Sequence, residues 1–349
     1  MPTPTRRPRR RHTALKATLV ALVSLAALTV QTSPAAAADI CGRQVGGDIL
    51  AKYIETGSET GPLGCPTTDE EITPDGRGRY NHFAGGSIYW TPERGAHPVW
   101  GAIRGKWEAM GWEKSRLGYP VGDELTNADG AGKRQQFEGG TLYWHPTLSQ
   151  GAHPVWGRVG ELWGQFGWEG GYFGYPTSDE ISTPEIKGIM QSFSGRNAVL
   201  WWSPGFDHGD TNHPVCKSEC VGYTSVTNTE WVKRTEIARA IKDGQIGGNV
   251  DISVIPTAEG FDNADTSYDR LWDQSFSQAP YPDRWLTAEQ GSSLYKQLAC
   301  HARYSIDLGG GPQGGNSWDL EGWARDVSWD YAMNPLLVWT HLCNWYEPA

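Results

Sequence analysis

Apolar residues recur at helical spacing in two segments of the chain. In each segment they occupy positions i, i+4, i+8 and i+11, which lie on one face of an α-helix. A glycine follows each segment, as is typical of the C-terminal end of a helix. The pattern therefore predicts two amphipathic helices. Their apolar positions are Val99, Ile103, Trp107 and Met110 in the first, and Val155, Val159, Trp163 and Phe166 in the second, with Gly111 and Gly167 at the ends.

Between the helical segments, short β-prone runs surround pairs of glycines. Tyr80 to Trp90 is divided by Gly85 and Gly86, a pattern that predicts a β-hairpin. In the third such segment, beginning at Phe193, the second glycine is missing and two additional residues precede Trp202. The third hairpin is therefore expected to have a longer turn.

Helix and hairpin belong to a unit of about 55 residues that occurs three times. Each unit begins with a Gly-x-Pro motif, and an Asp-Glu pair, a Phe, an aromatic pair and a His-Pro-Val motif follow at matching positions. Such self-similarity predicts a repeated supersecondary unit. The motifs begin at Leu63, Leu117 and Phe173, the acidic pairs at Asp69, Asp123 and Asp179, the aromatic pairs at Tyr89, Tyr143 and Trp201, and the His-Pro-Val motifs at His97, His153 and His213.

The last third of the chain has a different pattern. Residues 249–256 alternate as in a strand, and Ala288 to Tyr304 has the pattern of a helix with Leu294, Leu298 and His301 on one side. A further β-prone run lies at Leu336 to Trp339. The predicted fold class is α+β, with three tandem helix-plus-β-hairpin repeats followed by a separate disulfide-closed α+β domain. The predicted segments are an N-terminal leader (1–38), the repeat array (39–215), a linker that leads into the last domain (216–246) and the C-terminal domain (247–349).

The first residues have the pattern of an export signal. Five arginines and Lys16 precede the apolar stretch Ala17 to Val30, and small residues lead to a predicted cleavage site after Ala38. The expected location is extracellular or associated with the cell wall. No later apolar run is long enough to span a bilayer, so no transmembrane segment is expected in the mature chain.

The charge of the chain argues against one class of partner. The formal net charge is −10. All charged residues of the predicted leader are basic, so its cleavage would make the mature chain still more negative. Because nucleic-acid binding requires a basic surface, no nucleic acid is expected as a partner. The oligomeric state is not predicted.

Six cysteines in an exported chain predict disulfides, although six residues allow fifteen pairings. The preferred pairing joins Cys300 to Cys343, with Cys41–Cys65 and Cys216–Cys220 as the simplest local complement. Zinc binding by Cys216 and Cys220 is the alternative for that pair, but their spacing is looser than that of a C-x-x-C pair and no matching pair occurs elsewhere in the chain. No metal and no cofactor is predicted; His208 and His213 with Asp207 and Asp210 also fit no standard metal spacing.

The residues of the repeat resemble those of the LGFP repeat, a module of exported actinobacterial proteins. The resemblance covers about Val45 to Val215 and includes Gly-x-Pro, Phe-x-Gly-Gly-x-Ile/Leu-Tyr-Trp and Gly-Ala-His-Pro-Val-Trp-Gly. It implies binding to cell-wall polysaccharide, either arabinogalactan or a peptidoglycan-linked glycan. The C-terminal region, through Trp318-Asp319-Leu320-Glu321 and Cys343-Asn344, resembles an exported bacterial domain family of unknown function.

Each repeat offers the side chains that bind sugars: flat aromatic rings for the apolar face, and carboxylates for the hydroxyls. Because successive side chains of a strand point to opposite faces, one aromatic of each pair is expected in the core. The acidic residues have an alternative role as caps, and the three repeated histidines are expected to be structural. The candidate glycan-binding residues are Tyr89, Trp90, Tyr143, Trp144, Trp201, Trp202, Asp69, Asp123 and Asp179.

A weaker candidate for catalysis lies in the C-terminal region, where His301, Asp319, Glu321 and Arg325 combine a base, carboxylates and a cation. The alternative is structural, with Glu321 and Arg325 forming a surface ion pair four residues apart. The G-x-S-x-G and H-E-x-x-H motifs are absent, while a pair of carboxylates for glycoside hydrolysis remains open.

Three functions are consistent with these patterns. The favoured one is a secreted, non-catalytic envelope protein whose repeats bind wall glycan and display the C-terminal domain. The second is a secreted hydrolase of envelope polymer, targeted by its repeats. The third is a protein-binding or antagonistic effector.

Overall fold

The computed structural model describes residues 37–183, 187–195, 198–205, 219–225, 229–276, 286–305, 318–321, 324–336 and 343. The chain divides into two compact units, Met1–Pro34 and Ala35–Ala349, and all described residues belong to the second. The predicted leader, 1–38, thus lies outside the described residues except at its last two positions. Among the described residues, no helix is long and apolar enough to cross a membrane.

A lead-in segment precedes the three units, which are numbered here from their Gly-x-Pro motifs: 63–116, 117–172, and from 173 onward. The lead-in consists of a two-stranded hairpin and one helix. These elements are β1 (Ala38–Ile40), β2 (Arg43–Val45) and α1 (Gly47–Glu55).

Each of the first two units contains a four-stranded antiparallel meander followed by a helix. The first unit comprises β3 (Glu71–Ile72), β4 (Arg79–His82), β5 (Gly86–Thr91), β6 (Gly95–Trp100) and α2 (Gly101–Met110). The second comprises β7 (Leu125–Thr126), β8 (Lys133–Phe137), β9 (Gly140–Trp144), β10 (Ala152–Val155) and α3 (Gly157–Gln165). The predicted helices and hairpins are therefore confirmed.

Helix α2 lies between two sheets and packs against both. Its Ile103 and Trp107 are buried in one cluster with Tyr89 of the first sheet and Leu142 of the second. Ile88, the neighbour of Tyr89 on β5, packs instead on the side of α1. Since alternate residues of a strand face opposite sides, each central strand contributes to two cores. The units therefore stack as alternating helices and sheets.

The third hairpin has the longer turn that the sequence predicts. In the first unit the Phe83 N–H donates to the carbonyl of Gly86, whereas in the third the Phe193 N–H donates to the carbonyl of Ala198. The strands of the third unit are β11 (Ile181–Thr183), β12 (Gly188–Ser192) and β13 (Val199–Ser203).

The third sheet continues into the C-terminal region. Strand β14 (Cys220–Ser225) pairs with β13, and β15 (Val232–Lys242), β16 (Gln245–Pro256) and β17 (Trp318–Glu321) follow, giving a sheet of seven strands. Two strands thus occupy much of 216–246. The first of them, β14, covers the edge of β13, which would otherwise expose unpaired backbone groups. The predicted strand at 249–256 forms part of β16.

One hydrophobic core joins the third unit to the C-terminal helices. It includes Leu200 of β13, Ile252 of β16, and Leu294 and Leu298 of the helix Ala288–Tyr304. The predicted helix Ala288 to Tyr304 is confirmed as α6, and a capping box between Thr287 and Gln290 fixes its start. The other helices are α4 (Ala258–Asn263), α5 (Tyr268–Phe276) and α7 (Trp329–Ala332).

Two of the three predicted disulfides are confirmed. Cys41 is bonded to Cys65, and Cys300 of α6 is bonded to Cys343. The third predicted pairing involves Cys216, which lies outside the described residues. Leu336, the first residue of the last predicted β-prone run, lies in a turn and is exposed, and 337–342 lie outside the described residues.

Candidate functional site

The predicted hairpin aromatics divide into two sets. Tyr89, Tyr143 and Trp201 are buried, so their ring faces are covered by protein. Their neighbours Trp90, Trp144 and Trp202 are only partly buried, on the opposite face of each strand. The indole N–H of Trp90 donates to Asp48 (2.8 Å) and that of Trp202 to Glu219 (2.9 Å). No described residue accepts a hydrogen bond from Trp144.

Two of the predicted carboxylates connect the units. Asp123 lies 2.7 Å from the Nδ1 of His97 and 3.0 Å from the Nζ of Lys52. The same arrangement recurs one unit later, where Asp179 contacts His153 at 2.9 Å and also accepts a hydrogen bond from Lys106. Asp123 and Asp179 therefore each bond to side chains of two preceding segments of the chain.

Electrostatics favour the charged form of this second carboxylate. Burial acts to raise the pKa of Asp179, but hydrogen bonds from Lys106 and His153 outweigh it and lower the pKa below its ordinary value. Asp69, the corresponding residue of the first unit, is exposed and accepts a hydrogen bond from the Gln44 N–H at 2.9 Å.

The histidines of the first two units lie on β6 and β10, just before a helix, and contact the next unit through these carboxylates. His213 lies outside the described residues.

The central residue of the Gly-x-Pro motif also reaches the preceding unit. The Tyr119 hydroxyl donates to Asp75 (2.6 Å), and the Tyr175 hydroxyl donates to Asp129 (2.5 Å). The hydrogen bond from Tyr175 lowers the pKa of Asp129 to about 2. In the first unit this position is Cys65, which forms the disulfide to the lead-in instead. The disulfide thus replaces a contact that needs a preceding unit, as expected of a terminal cap.

Two tryptophans outside the predicted site residues lie just after helices α2 and α3. Trp112 and Trp168 begin short 3-10 helices with φ values of 56° and 58°, in the left-handed region that non-glycine residues rarely adopt. Trp168 is 49% exposed. The signal that could have found them is the recurrence of Gly-Trp-Glu at Gly111 and Gly167.

The structure places two of the four catalytic candidates, His301 and Asp319, on opposite sides of the C-terminal sheet. Asp319 accepts a hydrogen bond from Ser253 (2.5 Å) on the paired strand β16. Its neighbour Leu320 faces the other side of β17, in the core with Leu298 of α6. His301 is buried on α6 and so lies across the sheet from Asp319. Arg325 is exposed, and the side chain of Glu321 is outside the described part.

Metal ligation finds no support in the described part of the chain, where no group of three or more His, Cys, Asp or Glu side chains is placed to hold an ion. Asp207, His208, Asp210 and His213 lie outside that part.

Comparison with protein families identifies the repeat. The LGFP repeat family matches residues 63–115 and 117–171, which correspond to the first and second units. The chain contains two LGFP repeats. The third unit, from Phe173, contains the same Gly-x-Pro motif and a hairpin but lies outside both matches. No curated protein matches the chain.

The LGFP repeats and the disulfides together indicate a protein of the cell surface or of another oxidising environment. In each matched repeat the buried helix tryptophan donates to the carbonyl of the glycine in the following Gly-x-Pro motif: Trp107 to Gly118, and Trp163 to Gly174, both at 3.1 Å. The glycine of the Gly-x-Pro motif is therefore an acceptor that fixes one unit against the next.

Proposed function

We propose that this is a secreted protein of the cell envelope whose LGFP repeats bind cell-wall glycan and hold the C-terminal region there. The observation that carries the proposal is the repeated carboxylate contact between units. Asp179 of the third unit contacts Lys106 of the first LGFP repeat and His153 of the second, so one side chain connects three consecutive units.

A rigid array suits a polymeric ligand. Different surfaces of one rigid array can contact successive segments of one polymer, and the effective concentration of the second contact raises the overall affinity. A repeating wall polysaccharide supplies such segments. The net charge of −10 disfavours binding to a polyanion and is compatible with an uncharged glycan.

The hydrolase alternative gains no support from His301 and Asp319, which lie on opposite sides of the C-terminal sheet, and the side chain of Glu321 is outside the described part. A dyad needs its two groups within hydrogen-bond reach. We therefore propose the binding function without an assigned reaction. Binding to a protein partner, as expected of an effector, is one outcome of the test below.

Cosedimentation of the purified full chain with insoluble actinobacterial wall tests this proposal. The wall is used before and after chemical removal of its arabinan and galactan. We expect the protein to pellet with intact wall and to stay in the supernatant with stripped wall. Equal pelleting with both would indicate a protein or peptide partner, and no pelleting with either would also contradict the glycan function.

A further inference from the structure

The two LGFP repeats carry corresponding side-chain clusters where the sheet meets the 3-10 helix that begins with tryptophan. We call them the first and second turn clusters. Equivalent positions are filled by different residues. The first turn cluster consists of Tyr80, His82, Ser87, Tyr89, Arg104, Glu108, Trp112 and Glu113, and the second of Arg134, Gln136, Thr141, Tyr143, Gly160, Gly164, Trp168 and Glu169.

The first turn cluster is closed by its own side chains. The Tyr80 ring stacks on Tyr89 with centroids 5.1 Å apart, and Trp112 stacks on the same Tyr89 at 5.9 Å. The guanidinium of Arg104 lies over the Trp112 ring at 5.0 Å and its Nε donates to Ser87 at 2.8 Å. Protein groups thus occupy the aromatic surface of this repeat.

The second turn cluster lacks the groups that close the first. Gly160 stands where the first repeat has Arg104, and Arg134 replaces the stacked Tyr80. Trp168 meets Trp163 edge to face at 5.6 Å and leans onto α3 at Gly164, where an added Cβ would lie 2.7 Å from the indole. The glycine therefore admits the ring, and about half of the Trp168 surface stays in contact with solvent.

Polar groups surround this open indole. The Arg134 guanidinium lies 3.4 Å from the Glu169 carboxylate, whose side chain is only 14% exposed. Strand alternation puts Gln136 on the same face of the sheet as Arg134 and Tyr143. No described residue accepts a hydrogen bond from the Tyr143 hydroxyl.

The backbone shows that the turn itself does not need an indole. Ser58 holds the corresponding position after α1 with a φ of 55°, close to the 58° of Trp168. Serine can therefore form the same left-handed turn in this chain. The side chain of Trp168, half exposed and adjacent to a neutralised ion pair, is consequently available for a ligand.

We propose that the second turn cluster is a saccharide-binding site. An uncharged sugar ring packs its apolar face on Trp168, and its hydroxyls bond to Glu169, Arg134, Gln136 and the Tyr143 hydroxyl. Because the charges of Arg134 and Glu169 balance each other, the site suits an uncharged polyol better than it suits an ion. The inference rests on the proposed glycan function and places it at one repeat, since Arg104 closes the other.

Titration calorimetry with oligosaccharides released from the wall by mild acid tests the site. The full chain is compared with Trp168→Ser, which copies Ser58, and with Gly164→Glu, which copies Glu108 and displaces the ring. We expect both variants to bind at least tenfold more weakly than the native chain. Trp112→Ser serves as the matched control and should keep native affinity. Circular dichroism verifies that each variant is folded.

The outcomes separate this inference from the function on which it rests. Native affinity in folded Trp168→Ser would overturn the assignment of the site while leaving glycan binding intact. Equal losses in Trp112→Ser and Trp168→Ser would also overturn it, because the first turn cluster would then contribute as much. A native chain that binds neither the oligosaccharides nor intact wall would overturn both.

Discussion

The Nδ1 of His153 lies 2.9 Å from the Oδ1 of Asp179, which is 26 residues further along the chain. His97 and Asp123 have the same separation in sequence and lie 2.7 Å apart. A contact that recurs with the period of the repeat belongs to the architecture of the array. It joins the end of one sheet to the loop that follows the next Gly-x-Pro motif.

Removing the charge of Asp179 should destabilise the array. We expect Asp179→Asn to lower the free energy of unfolding by about 1 kcal/mol, because a charge-assisted bond to Lys106 is lost at a half-exposed site. Urea denaturation measures the change. Asp69→Asn, at the exposed equivalent position, is the control and should change the stability by less than about 0.5 kcal/mol. Equal effects at the two sites would contradict the structural role.

The lowered pKa of Asp179 makes the stability depend on pH. Burial opposes the shift, and the bonds from Lys106 and His153 produce it. In acid the unfolded chain takes up a proton at this carboxyl before the folded chain does. The stabilisation is therefore complete above about pH 4 and is lost as the pH falls through the lowered pKa.

Comparison of the native chain with Asp179→Asn isolates this contribution, since burial raises the pKa of Glu180 nearby and acts in the opposite direction. We expect the difference in unfolding free energy between the two proteins to shrink between pH 6 and pH 3. A difference that stays constant over this range would count against the assignment.

The hydrogen bond from Tyr175 should be measurable at its acceptor. It is the main cause that lowers the pKa of Asp129 to about 2. In Tyr175→Phe we expect that pKa to rise toward the ordinary 3.8, observed by NMR titration of the Asp129 carboxyl. Tyr119→Phe removes the equivalent bond to Asp75 and should leave Asp129 unchanged. An unshifted Asp129 in Tyr175→Phe would contradict the contact.

The glycine pair of the hairpin should tolerate no side chain at its first position. A Cβ on Gly139 would lie 1.9 Å from the carbonyl oxygen of Arg116, a backbone atom that cannot move alone. We expect Gly139→Ala to destabilise the protein by about 3 kcal/mol or more. Gly105, inside α2, has no atom within 4 Å of an added Cβ, so Gly105→Ala should stabilise by about 0.5–1 kcal/mol. Thermal unfolding distinguishes the two.

Local patterns predict most elements of this fold. The helices α2, α3 and α6 follow from apolar spacing, and the longer third turn follows from two additional residues before Trp202. The continuation of the third sheet through β14 cannot be predicted in this way. The alternation of residues along β13 or β14 indicates a strand but does not indicate which strand it pairs with.

The candidate site was harder to predict than the fold. Alternation alone separates Tyr143 from Trp144, yet it does not indicate which ring contacts solvent. The sequence predicts Asp123 and Asp179 as ligands, and only the three-dimensional arrangement shows that they bond to neighbouring units. Trp168 lies in a turn outside the periodic strand pattern, and its exposure depends on Gly160 and Gly164 of a preceding helix.

The most direct test of glycan binding at the second turn cluster is an NMR titration of the indole N–H signals with wall-derived oligosaccharide. The 18 tryptophans provide probes throughout the chain, and Trp168→Ser assigns the decisive signal. Binding at this cluster predicts a saturable shift at Trp168, with Trp112 unchanged. Shifts at Trp112 or Trp144 without one at Trp168, or none at any indole, would contradict it.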